Sequence, residues 1–288
     1  MSLGALKRWV KDTAAKTLWA YGPKELVDRL RQIGVTPGST LVVHSSWLPH
    51  SGFKGKPADV VRAFKQAVGP EGLLVMMSMP YHNMSSAQWL ATGKPMNVAR
   101  SPSMMGMVSE VFRRSEGVVR SLSVTHPLLA WGRDAEAFVA GHEAAEKPFG
   151  SESPFARLLE RNALILGFDA SFSSFTYTHF VEDQLAATLP FPLYEPELHS
   201  GVVIDRAGER HTCAVRVLAA QANKLRREPR LVAHLDKAGV LHHGKLGNTR
   251  LTWIRAADHS RESARFVAGG AHFFDFPEAA DARPRAAA

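Results

Sequence analysis

The stretch 37–77, PGSTLVVHSSWLPHSGFKGKPADVVRAFKQAVGPEGLLVMM, decides the fold. Pro37-Gly38 turns the chain into Leu41-Val42-Val43, a short apolar run of the kind buried in a parallel sheet, which ends at the polar trio His44-Ser45-Ser46. Pro57 to Val68 reads as a helix, Gly69-Pro70 breaks it, and Leu73-Leu74-Val75-Met76-Met77 is a second buried strand. Strand, helix and strand in this order are the unit of an α/β sheet.

Working outward, residues 1–20 place Leu3, Leu6, Val10 and Leu18 near helical spacing with lysines between them, which predicts a basic amphipathic helix. Residues 24–33 read as a helix closed by Gly34, and 104–114 as another. Downstream the reading is a strand at 128–131, helices at 135–145 and 154–160, and a buried strand at 163–167. Gly201 to Val217 alternates about Asp205-Arg206-Ala207-Gly208 and predicts an antiparallel hairpin, and 218–238 returns to helix. The expected architecture is α/β, a mixed sheet layered between helices with a C-terminal β-hairpin and helices. It occupies one domain over 1–276, followed at 277–288 by an Ala-, Pro- and Arg-rich tail expected to be disordered.

Composition narrows the class. A hydrophobic share of 45% with 22% charged residues is ordinary globular usage and argues against a disordered chain or a multi-span membrane protein. The single cysteine, Cys213, allows neither an intrachain disulfide nor a cysteine-based zinc knuckle, and it suits a reducing cytoplasm. Residues 72–93 carry no charge, yet Pro80, His82, Asn83 and Gln88 would stand unsatisfied in lipid, so the segment reads as a strand running into a polar loop. The formal charge of +8 is diffuse, and its densest run, KLRREPR at 224–230, lacks interleaved aromatics. It reads as a solvated helix face, and nucleic acid is not an expected partner. The N-terminal helix leaves peripheral contact with an anionic membrane surface open.

Ligands of open α/β sheets gather past the carboxyl ends of the strands. Three polar places follow apolar runs: His44-Ser45-Ser46, Thr125-His126-Pro127, and the segment after Gly167 that leads to Thr176-Tyr177-Thr178-His179-Phe180-Val181-Glu182. If the last is helical, Thr176, His179 and Glu182 share a face. A carboxylate there can hold one imidazole nitrogen as a donor and leave the other free to accept a proton. The same spacing also describes an ordinary surface His–Glu pair.

Taken in order, V43-H-S-S, G69-P-E-G-L-L-V-M, S101-P-S-M-M-G, F112-R-R, G117-V-V-R-S, T125-H-P, P148-F-G and the T-x-x-H-x-x-E run at Thr176, His179 and Glu182 resemble the aminoglycoside 3-N-acetyltransferase family. The likeness runs from about Leu26 to Glu182 and returns weakly near 244–248. It implies that family's own mixed α/β fold and transfer of acetyl from acetyl-coenzyme A to an amine; separately, with no H-E-x-x-H and only two ligands in the H-x-x-E at His179, no metal is expected. By the same resemblance His179 is the catalytic base and Glu182 its orienting partner, while His44, Ser45, Ser46, Thr125 and His126 line the coenzyme and reaction centre. Ser46, just past a strand end, can also donate to the developing oxyanion. Thr176, Asn97 and Asp183 are candidate acceptor contacts.

Two departures bear on the acceptor. Met96-Asn97 stands where drug-modifying members carry an acidic F-D-like pair, and Asp169 to Phe175 replaces their short N-T-S-L-H spacing. A polycation needs several carboxylates around it, so the expected acceptor is an amino sugar or similar small amine. An aminoglycoside is the alternative. Two further rivals are a Ser/His/Glu hydrolase, although no G-x-S-x-G occurs, and a metal enzyme built on His242-His243, which are expected to be loop residues.

Overall fold

A computed structural model describes residues 2–276; the tail expected at 277–288 lies outside them. In chain order the elements are α1 (Leu3–Lys16), α2 (Pro23–Gln32), β1 (Thr40–Ser45), α3 (Pro57–Val68), β2 (Leu73–Met77), α4 (Ser86–Ala91), β3 (Met96–Asn97), α5 (Met107–Arg113), β4 (Val119–Arg120) and β5 (Leu128–Gly132). They continue as α6 (Ala135–Val139), α7 (Pro154–Glu160), β6 (Leu164–Phe168), α8 (Tyr177–Gln184), β7 (His199–Ile204), β8 (Arg210–Val215), α9 (Ala220–Leu225), α10 (Glu228–Lys237), β9 (His242–Leu246), β10 (Thr249–Arg255) and α11 (Ala256–Ala268).

The main sheet has the order β4-β5-β2-β1-β6-β10-β9. At its centre β1 pairs in parallel with β2, Val42 opposite Val75, and with β6, Val42 opposite Ile165. On either side the sheet turns antiparallel, through β5 against β2 and β10 against β6. The central strands are apolar on both faces because both are covered. Leu41, Val43, Leu74, Met76 and Leu166 pack with Leu26, Leu30, Phe64 and Phe112 of α2, α3 and α5. The alternate residues Val42, Val75, Met77 and Ile165 pack on the opposite face with Phe138, Phe155, Tyr177 and Val181 of α6, α7 and α8. This is the mixed sheet between helices expected from the alternation.

The hairpin predicted at 201–217 forms as β7 and β8, but it joins β3 in a separate three-stranded sheet. That sheet covers a small cluster of Met96, Val98, Val124, Val203, Cys213 and Val215. The lone thiol is buried there, and burial raises its pKa.

Several predicted boundaries shift for identifiable reasons. The helix expected from Met104 begins at Met107, because the Met104 amide donates to Met79 O at 2.9 Å and Gly106 turns the chain at φ 105°. The helix expected through Ala145 stops at Val139, where Ala140 is extended and Gly141 follows at φ 75°. The polar loop after β2 contains a short helix, α4, capped by Ser85. The single helix expected over 218–238 is broken: Arg226 is extended and Arg227 is non-helical between α9 and α10. Pro229 accounts for the break, since it lacks an amide hydrogen and fits only the first turn of a new helix. His242 and His243, expected in a loop, lie on β9, opposite Trp253 and Thr252 of β10. The N-terminal helix forms, with Leu6, Trp9 and Val10 exposed beside Lys7, Arg8 and Lys11. Among the described residues no helix is long and apolar enough to cross a membrane.

Candidate active site

The site rests on α8, and α8 rests on the core. Tyr177, Phe180 and Val181 are buried in the apolar cluster beneath the sheet. The Tyr177 hydroxyl reaches Ser260 Oγ at 3.0 Å and Thr178 Oγ1 reaches His259 Nε2 at 3.1 Å, so two side chains of α8 are tied to α11. With its buried face held this way, the helix turns the face carrying Thr176, His179 and Glu182 toward the strand ends.

His179 Nδ1 and Glu182 Oε2 are 2.8 Å apart. An ionised carboxylate only accepts, so Nδ1 carries the hydrogen, and in the neutral ring Nε2 is the acceptor. Glu182 is no surface partner: its side chain is 0% exposed. Burial alone would raise its pKa, but His179 and Arg226 outweigh burial and hold it below the ordinary carboxylate value. Arg226 engages both oxygens, Nε on Oε1 and Nη2 on Oε2, the latter at 2.8 Å. The run at 224–230 is therefore solvated only in part, with Arg226 turned inward. Arg226 closes on Glu182, while Arg227 and Arg230 pair with Asp275.

A cavity of about 650 Å³ opens at the ends of β1 and β2 and is lined by His44, Ser45, Ser46, Thr176, His179, Arg226 and Glu228 among others. The structure thus brings together the trio at the end of β1 and the His–Glu helix, which lie far apart in sequence. Gly167 makes this approach possible, because a Cβ there would come within 2.2 Å of the Ala170 carbonyl oxygen. Asp169 turns the chain out of β6 at φ 54° and is held by Arg250 N donating to its carboxylate at 2.9 Å.

The predicted residues occupy different positions. His44 is buried, stacks on Phe175 with ring centroids 5.3 Å apart, and has its pKa driven down to about 3 by burial, so it is neutral at working pH. The Ser46 amide donates to Phe168 O at 2.9 Å, so the donor Ser46 can offer a substrate is its hydroxyl and not its amide. Thr125 and His126 are buried and bonded to each other, Nδ1 to Oγ1 at 3.0 Å, and neither lines the cavity. They stand behind it: Phe149 packs between His126, at 4.5 Å, and His179, at 4.9 Å. Asn97 also stands apart from the cavity lining, its Oδ1 accepting from the amides of Ala99 and Arg100 in a local turn. Asp183 faces Lys147 at 3.5 Å in a smaller recess of about 260 Å³ that also holds Glu146 and Glu152.

Two residues escaped the sequence reading. Arg226 was hidden in a basic run, and only the proline three residues on signals that the helix breaks there. Arg120 lies in the G-V-V-R-S motif; it is buried and donates to the carbonyls of Ser101 and Ser78. The S-P-S motif is likewise architectural: Ser103 bonds Ser109, which donates to Met77 O at 2.6 Å and docks α5 on the end of β2. Among the described residues one compact group of possible metal ligands occurs, Asp205, Glu209 and His211 at the β7–β8 turn, and none of the three lines the cavity.

Comparison with known proteins defines the class: the protein is an acyltransferase. Residues 42–267 match the family model described as aminoglycoside 3-N-acetyltransferase, and the chain belongs to the aminoglycoside 3-N-acetyltransferase family. It is 31% identical over 204 residues to aminoglycoside N(3)-acetyltransferase IV of Salmonella sp, covering 68% of this chain and 72% of that protein. It is 24% identical over 216 residues to the SPbeta prophage-derived aminoglycoside N(3')-acetyltransferase-like protein YokD of Bacillus subtilis (strain 168), covering 70% of this chain and 76% of that one. Among solved structures, aminoglycoside acetyltransferase AAC(3)-Xa superposes with a TM-score of 0.74 at 21% identity, over 93% of this chain and 99% of that one. AAC-IIIb, solved as a binary complex with CoASH, superposes with a TM-score of 0.72 at 18% identity, over 88% and 99%.

Proposed function

We propose that the protein transfers acetyl from acetyl-coenzyme A to a primary amine on a hydroxylated ring, with His179 as general base and Glu182 orienting it. The observation that carries the proposal is the His179–Glu182 pair opening on the same cavity as Ser45 and Ser46. An amine is mostly protonated near neutral pH and attacks a thioester only as the free base. In this reading the amine nitrogen bonds to the carbonyl carbon, its proton passes to Nε2 of His179, and the carbon–sulfur bond breaks as the imidazolium gives that proton to the departing sulfur, releasing the coenzyme thiol. The Ser46 hydroxyl faces the charge that develops on the carbonyl oxygen. Ser46→Ala is accordingly expected to lower kcat roughly tenfold to a thousandfold, since its amide is committed elsewhere. A change confined to thermal stability, measured alongside turnover, would reduce Ser46 to a strand-end residue. Use of acetyl-coenzyme A fits a cytoplasmic setting.

The names of the relatives favour an aminoglycoside as acceptor over the amino sugar expected from the sequence. One observation favours the smaller acceptor: among the described residues lining the main cavity Glu228 is the one carboxylate, and Arg226 stands beside it. A polycation buried there would find few partners for its charges. Glu146, Glu152 and Asp183 in the lesser recess are what an aminoglycoside would have to recruit. Equal concentrations of aminoglycosides and of free and nucleotide-linked amino sugars, each with acetyl-coenzyme A and a thiol-release readout, separate the two. Preferential turnover of several aminoglycosides selects the first acceptor, and amino sugars alone select the second. Thiol release that needs no amine would point to a hydrolase and sink the transferase reading.

A further inference from the structure

We propose that Arg226 is a positioning residue for the base: by neutralising Glu182 through both oxygens it lets that carboxylate orient His179 without locking the imidazole in its protonated form. The proposal rests on the reading of His179 as general base.

The need for such a residue follows from burial. A carboxylate with a fully enclosed side chain must either take up a proton or find a cation. Protonated, Glu182 would cease to fix the Nδ1–H tautomer of His179. Ionised with His179 as its sole partner, it would draw the imidazole into a buried imidazolium–carboxylate pair, and a base that already holds its proton cannot accept one from the substrate. A guanidinium stays charged at any working pH and matches a carboxylate with two parallel hydrogen bonds. Placed on Glu182, it satisfies the carboxylate and leaves Oε2 free to share one further hydrogen bond with Nδ1.

Arg226 is built for this place. The break between α9 and α10 projects it from extended backbone, and its amide still caps α9 on Ala222 O at 3.1 Å. Its Nη1 donates to Asn223 Oδ1 at 2.8 Å, and its guanidinium carbon lies 5.5 Å from the centre of the Phe274 ring. A backbone bridge between Arg226 and Phe274 fixes the same segment from the other side. The remaining titratable groups around the pair come from every element packed on it. They are His126 behind Phe149, Asp183 of α8 with Lys147, Tyr194, Glu228 of α10, His259 of α11 and His272. Of these, His126 and His259 are held neutral by burial, and burial also raises Glu228 toward its neutral form. Arg226 is thus the fixed positive charge bonded to Glu182.

The test reads the imidazole directly and needs no acceptor. The titration of His179 is followed by nuclear magnetic resonance of imidazole-labelled protein, its signal assigned by its absence from His179→Ala. In Arg226→Gln the midpoint is expected to rise by about one pH unit or more, because a neighbouring positive charge that disfavours the imidazolium has been removed. Arg226→Lys keeps a charge but not the two-point contact, so a smaller rise is expected, and this variant serves if Arg226→Gln fails to fold. A midpoint equal to wild type in a folded variant would overturn the proposal and leave Arg226 as a tie between α8 and α10. Failure of the base reading shows elsewhere, as near-normal turnover of His179→Ala, and is distinguishable from this outcome.

Discussion

His179→Ala is expected to lower kcat by roughly a hundredfold to ten-thousandfold while coenzyme binding stays close to wild type. The loss is chemical, because the imidazole presents Nε2 to the cavity and its other nitrogen is spent on Glu182. Removal of a residue bonded to a buried charge often destabilises a protein, but here the charge keeps its second partner, since both oxygens of Glu182 remain on Arg226. The variant should therefore fold, and thiol release with an accepted amine compared with calorimetric binding of coenzyme A separates rate from affinity. Turnover within a few-fold of wild type would remove His179 from the chemistry.

The second large effect is on stability in mild acid. His44, His126 and His142 have their pKa values lowered to about 3, and His259 to about 4, in each case chiefly by burial. Unfolded, each would titrate near 6.5. Their folded pKa values lie below the unfolded one, so their contribution is complete above about pH 6.5 and is lost as pH falls toward the folded values. Near pH 5 the unfolded chain binds about four more protons at these positions than the folded chain does. Unfolding free energy should then fall by about 5 kcal/mol per pH unit, against a total of roughly 5–15 kcal/mol for an ordinary domain. Glu110, held down to about 2 first by Arg113 and then by Ser103 and Arg114 despite burial, acts in the same direction at lower pH. Urea unfolding between pH 4.5 and 7.5 measures the slope, and His142→Gln should lessen it by about one proton. A flat stability across that window would mean that these histidines become protonated inside the folded protein.

Much of this was legible in the chain itself, for a physical reason. Strands buried on both faces must be uniformly apolar, and such runs at 41–43, 73–77 and 163–167 marked the centre of the sheet. Gly-Pro and Pro-Gly pairs marked the joints. The outer part was less legible because edge strands answer to neighbours and not to a pattern of their own: β9 reads His-His-Gly-Lys-Leu, which no propensity scale would choose, and it forms against β10. The pair at His179 and Glu182 could be found from helical spacing and from the family motif. Its burial could not, since burial depends on what comes back across it from residues 226 and 274. The same holds for Thr125 and His126, whose motif reads as a site although the structure packs both behind the cavity wall.

The break between α9 and α10 also has a meaning in time. During synthesis the ribosome releases β1, β2, β6 and α8 before residue 226, so the emerging chain holds His179 beside a carboxylate whose guanidinium partner is still to come. Until Arg226 arrives, Glu182 is an acid awaiting burial, and α8 has reason to stay in water. Arrival of residues 226–274 would bring Arg226 onto Glu182 and close the site in one event, so that a chain stopped between Gln184 and Arg226 carries the motif without the guanidinium that neutralises its carboxylate.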